Sequence, residues 1–257
     1  MIDCHSHLTS SDFDGDREAV IARAEAAGVA RIAIVGQDHE ENLAVLRFAA
    51  EQPRFLPFLG LHPDRFADGR PAMSAEEVGR IAGAIREAAQ TLIGIGEVGL
   101  DCWVCRDDAR REAQRAAFLQ MIGLAEELDL PLNVHSRSAG HHVIDLLLAQ
   151  GARRVLMHAF DGKAGHALRG AEAGFLFSIP PSVVRSPQKR KLVRALPLSA
   201  LALETDSPVL GPVQGERNEP ANLIISVAAI AEIKGVPEEE VRLRTAENTR
   251  RLFRVRD

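Results

Sequence analysis

Eight short apolar runs, separated by longer amphipathic segments, place the strongest constraint on how this chain folds. The runs cover residues 2–4, 31–35, 55–59, 92–95, 132–134, 154–157, 175–178 and 201–203. Most of them are almost continuously apolar, which is typical of strands that are covered on both faces. An alternation of such strands with helices predicts β/α units arranged around a parallel sheet.

Chain length and strand number favour a closed barrel. The chain has 257 residues, and a (β/α)8 barrel typically needs about 250. We therefore predict an α/β protein in which residues 1–257 form one domain, a (β/α)8 TIM barrel. An open, doubly wound sheet is the alternative. No G-x-G-x-x-G sequence follows the first strand, and its absence disfavours a dinucleotide-binding sheet.

Three of the intervening helices can be delimited from the sequence. We predict a helix over residues 16–27, with Asp14 as its N-cap and Gly28 as its C-terminal stop. A second is predicted over residues 106–128, where apolar residues recur at helical spacing and form one face. A third lies between residues 135 and 150, where Ser138 is a candidate cap but Gly140 weakens the helix start.

Composition narrows the class of protein and its compartment. The net charge of −5 provides no overall basic field, so a nucleic-acid substrate would need a local patch or a metal ion. With no tyrosine and one tryptophan, a broad aromatic platform for single strands is not expected. No run reaches the roughly 18 apolar residues of a membrane helix, and the N-terminus lacks a signal-peptide pattern. The three cysteines argue against a disulfide framework. We expect a cytoplasmic protein without membrane contacts, either a monomer or a weak oligomer.

Histidines and carboxylates lie at the ends of five predicted strands. In chain order they are His5, His7, Glu97, His135, His158 and Asp206. The first two end strand 1, Glu97 follows strand 4, and the last three end strands 5, 6 and 8. The carboxyl ends of barrel strands converge on one face, where active sites lie. We therefore expect these six side chains to meet in one pocket.

The residue types in this set indicate a metal centre. Imidazole and carboxylate groups together bind Zn²⁺, Mn²⁺ and related ions, and His5 and His7 are a paired ligand because alternate strand residues point to one side. Six candidates exceed the three protein ligands of a typical catalytic zinc site. Two divalent metal ions (Zn, Mg or Mn) bridged by Glu97 would use all six and would activate water. Taken singly, each residue is better explained by an ordinary hydrogen bond, cap or ion pair.

Eight short motifs form a pattern that is specific when taken together. They are IDCHSH (2–7), GLHP (60–63), GEVGLD (96–101), LPLNVHSR (130–137), HAFDG (158–162), LETDSP (203–208), RNEPAN (217–222) and N-x-x-x-L-F (248–253). With these motifs nearly the whole chain resembles the TatD-type metal-dependent hydrolases, a family within the amidohydrolase-like barrels. His-x-His alone would be a weak signal.

The resemblance implies a TIM barrel and a role for each matched residue. His5, His7, Glu97 and Asp206 would hold one metal ion, and Glu97, His135 and His158 would hold the second. Asp206 would also accept a proton from the attacking water, so Asp206 and Glu97 are the predicted catalytic residues. The chain departs from the family at Cys102-Trp103, where members often have an aromatic residue directly after the aspartate. Substrate contacts in that loop are therefore not carried over.

The same resemblance implies a nucleic-acid partner. Activities of the family are metal-dependent hydrolysis of DNA, including trimming of single strands from the 3′ end, and removal of D-amino acids from tRNA. We predict a divalent-metal-dependent deoxyribonuclease. An ester or amide hydrolase, such as a D-aminoacyl-tRNA deacylase, is the alternative, since both reactions need the same Lewis acid and nucleophile. A third hypothesis, a non-catalytic binding protein, predicts lost ligands, whereas all six are present.

Two further residues on the same face are candidate substrate-binding residues. His62 follows the third strand and precedes Pro63, and it would contact a phosphate or the leaving group, or else stabilise its own loop. Arg137 follows His135 by two residues and would clamp a substrate phosphate, or else pair with a neighbouring carboxylate. For each residue the two interpretations stay open.

Four other features have a structural explanation at least as good as a functional one. The basic residues between Arg185 and Arg194 are read as a solvated helix surface, with Ser186 as cap and Pro187 in the first turn, rather than as a phosphate-binding patch. Cys102 and Cys105 are expected to be free thiols. Residues 217–220 would fix the loop after the eighth strand, and Glu204 would orient a metal ligand from behind. A surface ion pair is the alternative for these last two.

Overall fold

The computed structural model describes residues 1–255, so residues 256 and 257 of the predicted domain lie outside the described part. Eight strands run in chain order: β1 Ile2–Ser6, β2 Arg31–Val35, β3 Phe55–Leu59, β4 Gly94–Gly99, β5 Leu132–His135, β6 Val155–Met157, β7 Leu176–Ile179 and β8 Leu201–Leu203. Each pairs in parallel with the next. The predicted (β/α)8 TIM barrel is therefore confirmed, and the open doubly wound sheet is wrong.

The barrel comes together at the seam between β1 and the segment that follows β8. The backbone N–H of Asp206 donates to the carbonyl of His5 (2.9 Å), and the N–H of His7 donates to the carbonyl of Ser207 (2.8 Å). Below these, the Asp3 carboxylate accepts the backbone N–H and the hydroxyl of Thr205. Backbone groups that would be unpaired at the edge of an open sheet thus bond the first β/α unit to the last. This pairing brings the polar residues of the two units side by side.

Nine α-helices of the described chain surround the strands. They are α1 Arg17–Ala26, α2 His39–Glu51, α3 Ala75–Ala88, α4 Asp108–Glu127, α5 Gly140–Ala149, α6 Ala164–Glu172, α7 Pro187–Ala195, α8 Leu223–Lys234 and α9 Glu238–Phe253. The first two delimited helices and the stop at Gly28, which has φ +82°, are close to prediction. The predicted caps Asp14 and Ser138 are wrong. Asp14 accepts from Arg17, and the backbone N–H of Ser138 donates to Asp161, so the chain turns there before α5 begins.

The buried apolar residues form two layers that follow from strand periodicity. One set includes alternate residues of β2 and β3, such as Ala33 and Val35, and faces the barrel interior. The other includes the intervening residues Ile32 and Ile34 together with the apolar faces of the helices, and it fills the space between barrel and helices. The barrel interior is thus apolar toward the amino-terminal ends of the strands, and the buried polar groups lie toward their carboxyl ends.

The last helix closes the amino-terminal end of the barrel. Leu252 and Phe253 at the end of α9 belong to the interior apolar set, and the ring of Phe253 lies 4.9 Å from that of Phe58. In the described part of the chain, no one helix is both long and apolar enough to cross a bilayer. The segments Pro220–Lys234 and Glu238–Phe253 meet those criteria only as a pair, and they are bent by 110° where they join.

The fourth strand lies further along the chain than predicted, and this moves a key carboxylate into the sheet. The prediction was residues 92–95, whereas β4 is Gly94–Gly99 and contains Glu97. Glycine is required here by close packing, because a Cβ on Gly96 would be 2.6 Å from the Cβ of Asn133, and Gly99 has φ +145° with no space beside His135. The apolar signal breaks at these glycines although the strand continues.

Candidate metal centre

The six predicted ligands surround the floor of one cavity at the carboxyl ends of the strands. The cavity has a volume of about 740 Å³, and its lining includes His7, His62, Glu97, His135, His158 and Asp206. His5 is fully buried and reaches the same place from below through its Nε2 atom. The structure thus brings together all the side chains that the strand-end pattern selected. Their role as ligands remains a prediction.

Four nitrogen and oxygen atoms at the floor of the cavity form a compact cluster. The His5 and His7 Nε2 atoms are 3.3 Å apart. Each lies 3.4 Å from Glu97 Oε2, and they lie 3.5 and 3.4 Å from Asp206 Oδ1. A tetrahedron whose corners are about 2.1 Å from its centre has edges of about 3.4 Å, and about 2.1 Å is the usual ligand distance of Zn²⁺. The Nε2 atoms of His5 and His7 and the Oε2 atom of Glu97 have this mutual spacing, so these three atoms fit one small divalent ion.

The other oxygen of Glu97 is the centre of a second cluster. Oε1 lies 2.8 Å from His135 Nδ1 and 3.2 Å from the Nε2 atoms of both His62 and His158. The His158 ring also stacks on that of His5, with 3.7 Å between centroids, so the two clusters are adjacent. Glu97 is therefore the group that both clusters share, in the position of the bridging ligand that the sequence predicts.

Hydrogen bonds behind the clusters set which nitrogen of two histidines faces the cavity. His5 Nδ1 lies 2.8 Å from Asn133 Oδ1, and the amide of Asn133 donates to the Cys4 carbonyl, which fixes its orientation. His158 Nδ1 lies 3.1 Å from Glu204 Oε2. Both Nδ1 atoms therefore act as donors, and both Nε2 atoms are left with a lone pair toward the clusters. Such outer contacts typically orient metal-binding imidazoles.

Glu204 has the predicted supporting position rather than a surface ion pair. Its side chain is fully buried and accepts the backbone N–H of Ala159 (2.8 Å) and the hydroxyl of Ser178 (2.7 Å) in addition to facing His158. The segment 217–220 instead makes the surface ion pair that was the alternative, because the exposed Arg217 donates to both carboxylate oxygens of Asp16 just before α1. These contacts hold the β8 loop and the His158 loop in place.

Two buried polar atoms of the centre have no hydrogen-bond partner among residues 1–255. They are Glu97 Oε2 and His7 Nδ1. An unsatisfied buried carboxylate oxygen is costly, commonly by about 1–3 kcal/mol or more. A cation between His5, His7 and Glu97 would satisfy this oxygen at once. The unpartnered oxygen and the spacing of the His5, His7 and Glu97 atoms are two signs that these residues fit a metal ion.

Backbone geometry at Asp206 shows how the site is assembled. Asp206 has φ +52°, in the left-handed region that costs a non-glycine residue energy. Its N–H is held by His5, and its carbonyl accepts the N–H of Val209, so the turn is fixed on both sides. The turn directs the carboxylate back over the end of β8 and toward His7. Strain of this kind is typical of functional positions.

The electrostatics of the centre raise the pKa of His7, His62 and His158 and so favour their charged forms when no metal is bound. Burial lowers the pKa of His7, but the carboxylates of Asp206 and Glu97, each 3.4 Å from its Nε2 atom, outweigh burial and raise the pKa to about 10. Burial likewise lowers the pKa of His62, but the carboxylates of Glu97 and Asp64 outweigh burial and raise this pKa to about 9. Burial would raise the pKa of Glu97, yet the surrounding histidines hold it well below its usual range. Without a metal ion, the protons on these histidines supply the positive charge that balances the buried carboxylates.

We expect metal binding to release protons and to weaken as the pH falls. His7, with a pKa of about 10, carries its proton throughout the neutral range and must lose it to bind a metal ion. Apparent affinity for Zn²⁺ or Mn²⁺ should therefore fall up to about tenfold per pH unit for each proton displaced. Calorimetric titrations at roughly pH 6 to pH 8, in buffers with different ionisation enthalpies, measure the number released. Heats that are independent of the buffer would contradict this expectation.

The predicted substrate-binding residues lie at the cavity. His62 Nδ1 is 2.9 Å from Asp64 Oδ1, so this side chain is held in its own loop as well as facing Glu97. Arg137 is exposed on the lining, and its guanidinium lies 5.4 Å from the Trp103 ring centroid. Within the described residues it pairs with no carboxylate. Contacts of both residues with substrate remain predictions.

Sequence reasoning missed two residues at the site. Lys189 was assigned to a solvated helix face, and the predicted Ser186 cap of α7 is confirmed. Lys189, however, lines the cavity and its Nζ donates to the Ala159 carbonyl (3.2 Å), whereas Arg190 lies at the surface beside Glu232. Asp101 places Oδ2 3.2 Å from His135 Nε2. Each residue had a signal in the sequence, since Lys189 belongs to the basic cluster and Asp101 ends the GEVGLD motif. Only the tertiary contacts show that these residues, and not their neighbours, lie at the site.

The cysteine pair is a structural feature. Cys102 and Cys105 are free, as predicted, and Cys105 is fully buried. Burial raises the pKa of both thiols, so neither is poised as a thiolate. The pair contributes to the loop after β4 and adds no second metal site among the described residues.

A cavity at the carboxyl ends of an eight-stranded β/α barrel, with histidines and carboxylates in adjacent clusters, defines the class of metal-dependent hydrolase barrels. The sequence model of the family described as TatD related DNase matches residues 2–254. The chain therefore belongs to the TatD family, and it is a hydrolase.

Relatives with curated sequences and a solved structure agree with this assignment. The chain is 44% identical to the putative deoxyribonuclease TATDN3 of Mus musculus, over 98% of this chain and 88% of that protein. It is 33% identical to the uncharacterized metal-dependent hydrolase YabD of Bacillus subtilis, over 99% of both. The crystal structure of YjjV, a TatD homolog from Escherichia coli, superposes with a TM-score of 0.90 at 29% identity, covering 100% of this chain and 98% of that one.

Proposed function

We propose that this chain is a divalent-metal-dependent deoxyribonuclease that hydrolyses phosphodiester bonds. The observation that carries the proposal is the position of Glu97, whose two oxygens each face a separate cluster of histidines. This arrangement suits two ions that share one carboxylate. Two such metal ions, when bound, would act as Lewis acids that activate water and stabilise the charge of a phosphodiester under attack.

The ligands divide between the two proposed ions according to the clusters. His5, His7, Glu97 and Asp206 would hold the first ion, and Glu97, His135 and His158 would hold the second. Zn²⁺, Mn²⁺ and Mg²⁺ are the candidates, because mixed imidazole and carboxylate ligands accept several ions. His62 approaches the second cluster closely enough to help bind either the ion or an oxygen of the substrate.

The chain's own groups would bind the phosphate and move the proton. Asp206 accepts the proton of the attacking water, because His158, His7 and His5 outweigh burial and keep its pKa below the usual range, so that the carboxylate is ionised. Arg137, in the loop after β5, and Lys189, in the first turn of α7, line the cavity and provide positive charge for the non-bridging oxygens. The cavity of about 740 Å³ suits the end of a single strand, and we propose trimming from the 3′ end.

A cleavage assay on labelled oligonucleotides tests the proposal. Single-stranded DNA labelled at either end is incubated with added Mg²⁺, Mn²⁺ or Zn²⁺, beside a charged D-aminoacyl-tRNA. We expect metal-dependent shortening of the DNA from its 3′ end and an intact aminoacyl ester. Loss of the ester with intact DNA would instead establish the alternative activity on the same centre. No cleavage of DNA with any of the three ions would overturn the proposed function.

Replacing Lys189 with methionine should lower the catalytic efficiency on DNA by about 100-fold. Removal of one group that stabilises developing charge in a closed site typically costs about 10²- to 10³-fold. Lys189 has no carboxylate partner among the described residues, which leaves its charge available to a phosphate. Steady-state kinetics of Lys189→Met, with metal content measured on the same samples, provides the test.

Lys191→Met is the matched control, because Lys191 is exposed on the same helix. It should retain wild-type kinetics. If Lys189→Met cleaves DNA within about twofold of the wild type, phosphate contact by Lys189 is wrong. If its metal content falls instead, Lys189 acts through the Ala159 carbonyl on the neighbouring His158 and is a positioning residue.

A further inference from the structure

The single tryptophan of the chain lies exposed at the edge of the cavity. Trp103 is 54% exposed, although large aromatic residues are usually well buried. An exposed apolar residue alone requires no explanation. Trp103, however, has two guanidinium groups beside its ring, those of Arg137 at 5.4 Å and Arg106 at 6.0 Å from the centroid. Arg137 also lines the cavity, so the ring adjoins the candidate metal centre.

The loop that presents Trp103 is firmly held. The Asp101 Oδ1 atom accepts the backbone N–H groups of Trp103 and Val104, at 2.8 and 3.1 Å. Asp68 accepts the backbone N–H of Arg106, and the N–H of Cys102 donates to the carbonyl of Arg137. A loop with this many backbone hydrogen bonds presents its side chain in a defined position and loses little entropy when a ligand binds.

One carboxylate links this loop to the candidate metal centre. While Oδ1 of Asp101 holds Trp103, Oδ2 lies 3.2 Å from Nε2 of His135, whose other ring nitrogen faces Glu97. The position of the indole is therefore coupled to that of a predicted ligand through two consecutive hydrogen bonds. A substrate that contacts both places would be held at a set distance from the ions.

The two guanidinium groups and the indole ring can bind different parts of one ligand. Neither Arg106 nor Arg137 pairs with a carboxylate within residues 1–255. Each can therefore bind a phosphate through its planar fork while its face rests near the indole. The exposed part of the ring offers an apolar surface that a flat heterocycle would cover. A group with both properties, a planar base joined to a phosphate, is a nucleotide.

We propose that Trp103, flanked by Arg106 and Arg137, is a subsite that stacks one nucleobase of a single-stranded DNA substrate beside the phosphate to be cleaved. The inference deepens the proposed function and rests on it for the identity of the substrate. It assigns the Cys102-Trp103 loop, where this chain departs from its family, to substrate recognition. One ring stacks one base, which agrees with the absence of a broad aromatic platform from the composition.

Because the chain has one tryptophan, its intrinsic fluorescence reports on this subsite directly. Protein stripped of metal with a chelator, and therefore unable to cut DNA, is titrated with a short single-stranded oligodeoxynucleotide. We expect the emission to be quenched by more than half at saturation, since a stacked base contacts the indole. Titration with 2-deoxyribose 5-phosphate, which has no base, should leave the emission within about a tenth of its starting value. Binding is followed independently by the anisotropy of a labelled oligonucleotide.

Variants separate stacking from general stability. Trp103→Ala should weaken oligonucleotide binding by about 5- to 150-fold, the usual cost of one lost base–aromatic stack. Trp103→Phe should restore affinity to within about fivefold, since it retains an aromatic face. Leu243→Ala is the matched control, because Leu243 is 55% exposed on α9, and it should bind as the wild type does.

The two proposals fail in different ways. If the oligonucleotide binds by anisotropy but the emission is unchanged, or if Trp103→Ala binds as tightly as the wild type, the subsite is wrong whatever the enzyme cleaves. Quenching by the sugar phosphate to the same extent would also overturn it, because the base would then be unnecessary. Quenching by DNA in a protein that cleaves no DNA with any ion would support the subsite and overturn only the nuclease.

Discussion

Replacing Glu97 with glutamine is expected to reduce the catalytic efficiency of DNA cleavage by roughly a thousandfold or more, because a shared metal ligand supplies several kcal/mol of transition-state stabilisation. Both of its oxygens face histidine clusters, so a single change affects both proposed ions. Glutamine keeps the shape but removes the charge and one oxygen ligand. We expect metal content, measured by elemental analysis, to fall below that of the wild type as activity is lost.

The matched control for this change is Glu76→Gln, on the exposed first turn of α3. It should keep both the activity and the metal content of the wild type. Far-ultraviolet circular dichroism of both variants establishes that the barrel remains folded. A folded Glu97→Gln protein with full metal content and activity within about tenfold of the wild type would show that Glu97 does not bridge two ions.

Replacing Asp206 with asparagine is expected to lower kcat by about 10²- to 10⁴-fold, which is the usual contribution of a positioned general base. Asp206 Oδ1 lies 3.5 and 3.4 Å from the Nε2 atoms of His5 and His7 in the first cluster, and His158 is also close to the Asp206 carboxylate. The second cluster, around Glu97 Oε1, does not include it. The Asp206→Asn and Asp206→Ala proteins should therefore keep at least one bound ion while losing most of their turnover. Parallel kinetics and metal analysis distinguish this from collapse of the whole centre.

Asp161→Asn is the control for the loss of a cavity carboxylate. Asp161 also lines the cavity, but its Oδ2 accepts the backbone N–H of Ser138 and is not part of either cluster. Its replacement should change kcat by less than about tenfold. Full hydrolytic activity in Asp206→Ala would show that another group accepts the proton, and the catalytic role predicted for Asp206 would be wrong.

Predictions from the sequence succeeded where the signal is local and repeated. The strands β2, β3 and β8 have the predicted bounds, because an unbroken apolar run reflects burial on both faces. The prediction failed at β4, where Gly96 and Glu97 interrupt that run although the backbone stays paired. Close contact with Asn133 requires glycine at position 96, and the carboxylate that both clusters share occupies the next position. The strand β4, which carries the carboxylate shared by both clusters, therefore lacks the apolar run by which the other strands were predicted.

Chain order and residue type, which the sequence holds, determined the barrel and the set of candidate ligands, since parallel strands must bring their carboxyl ends to one face. Only the tertiary structure decided how these groups divide, with one oxygen of Glu97 in each cluster and Asn133 and Glu204 behind the histidines. It also separated Lys189, which faces the cavity, from Arg190 at the surface, and placed Arg137 beside Trp103. Periodicity is a property of neighbours along the chain. Contacts between loops depend on turns and hydrogen bonds that join residues far apart in sequence, so no local pattern predicts them.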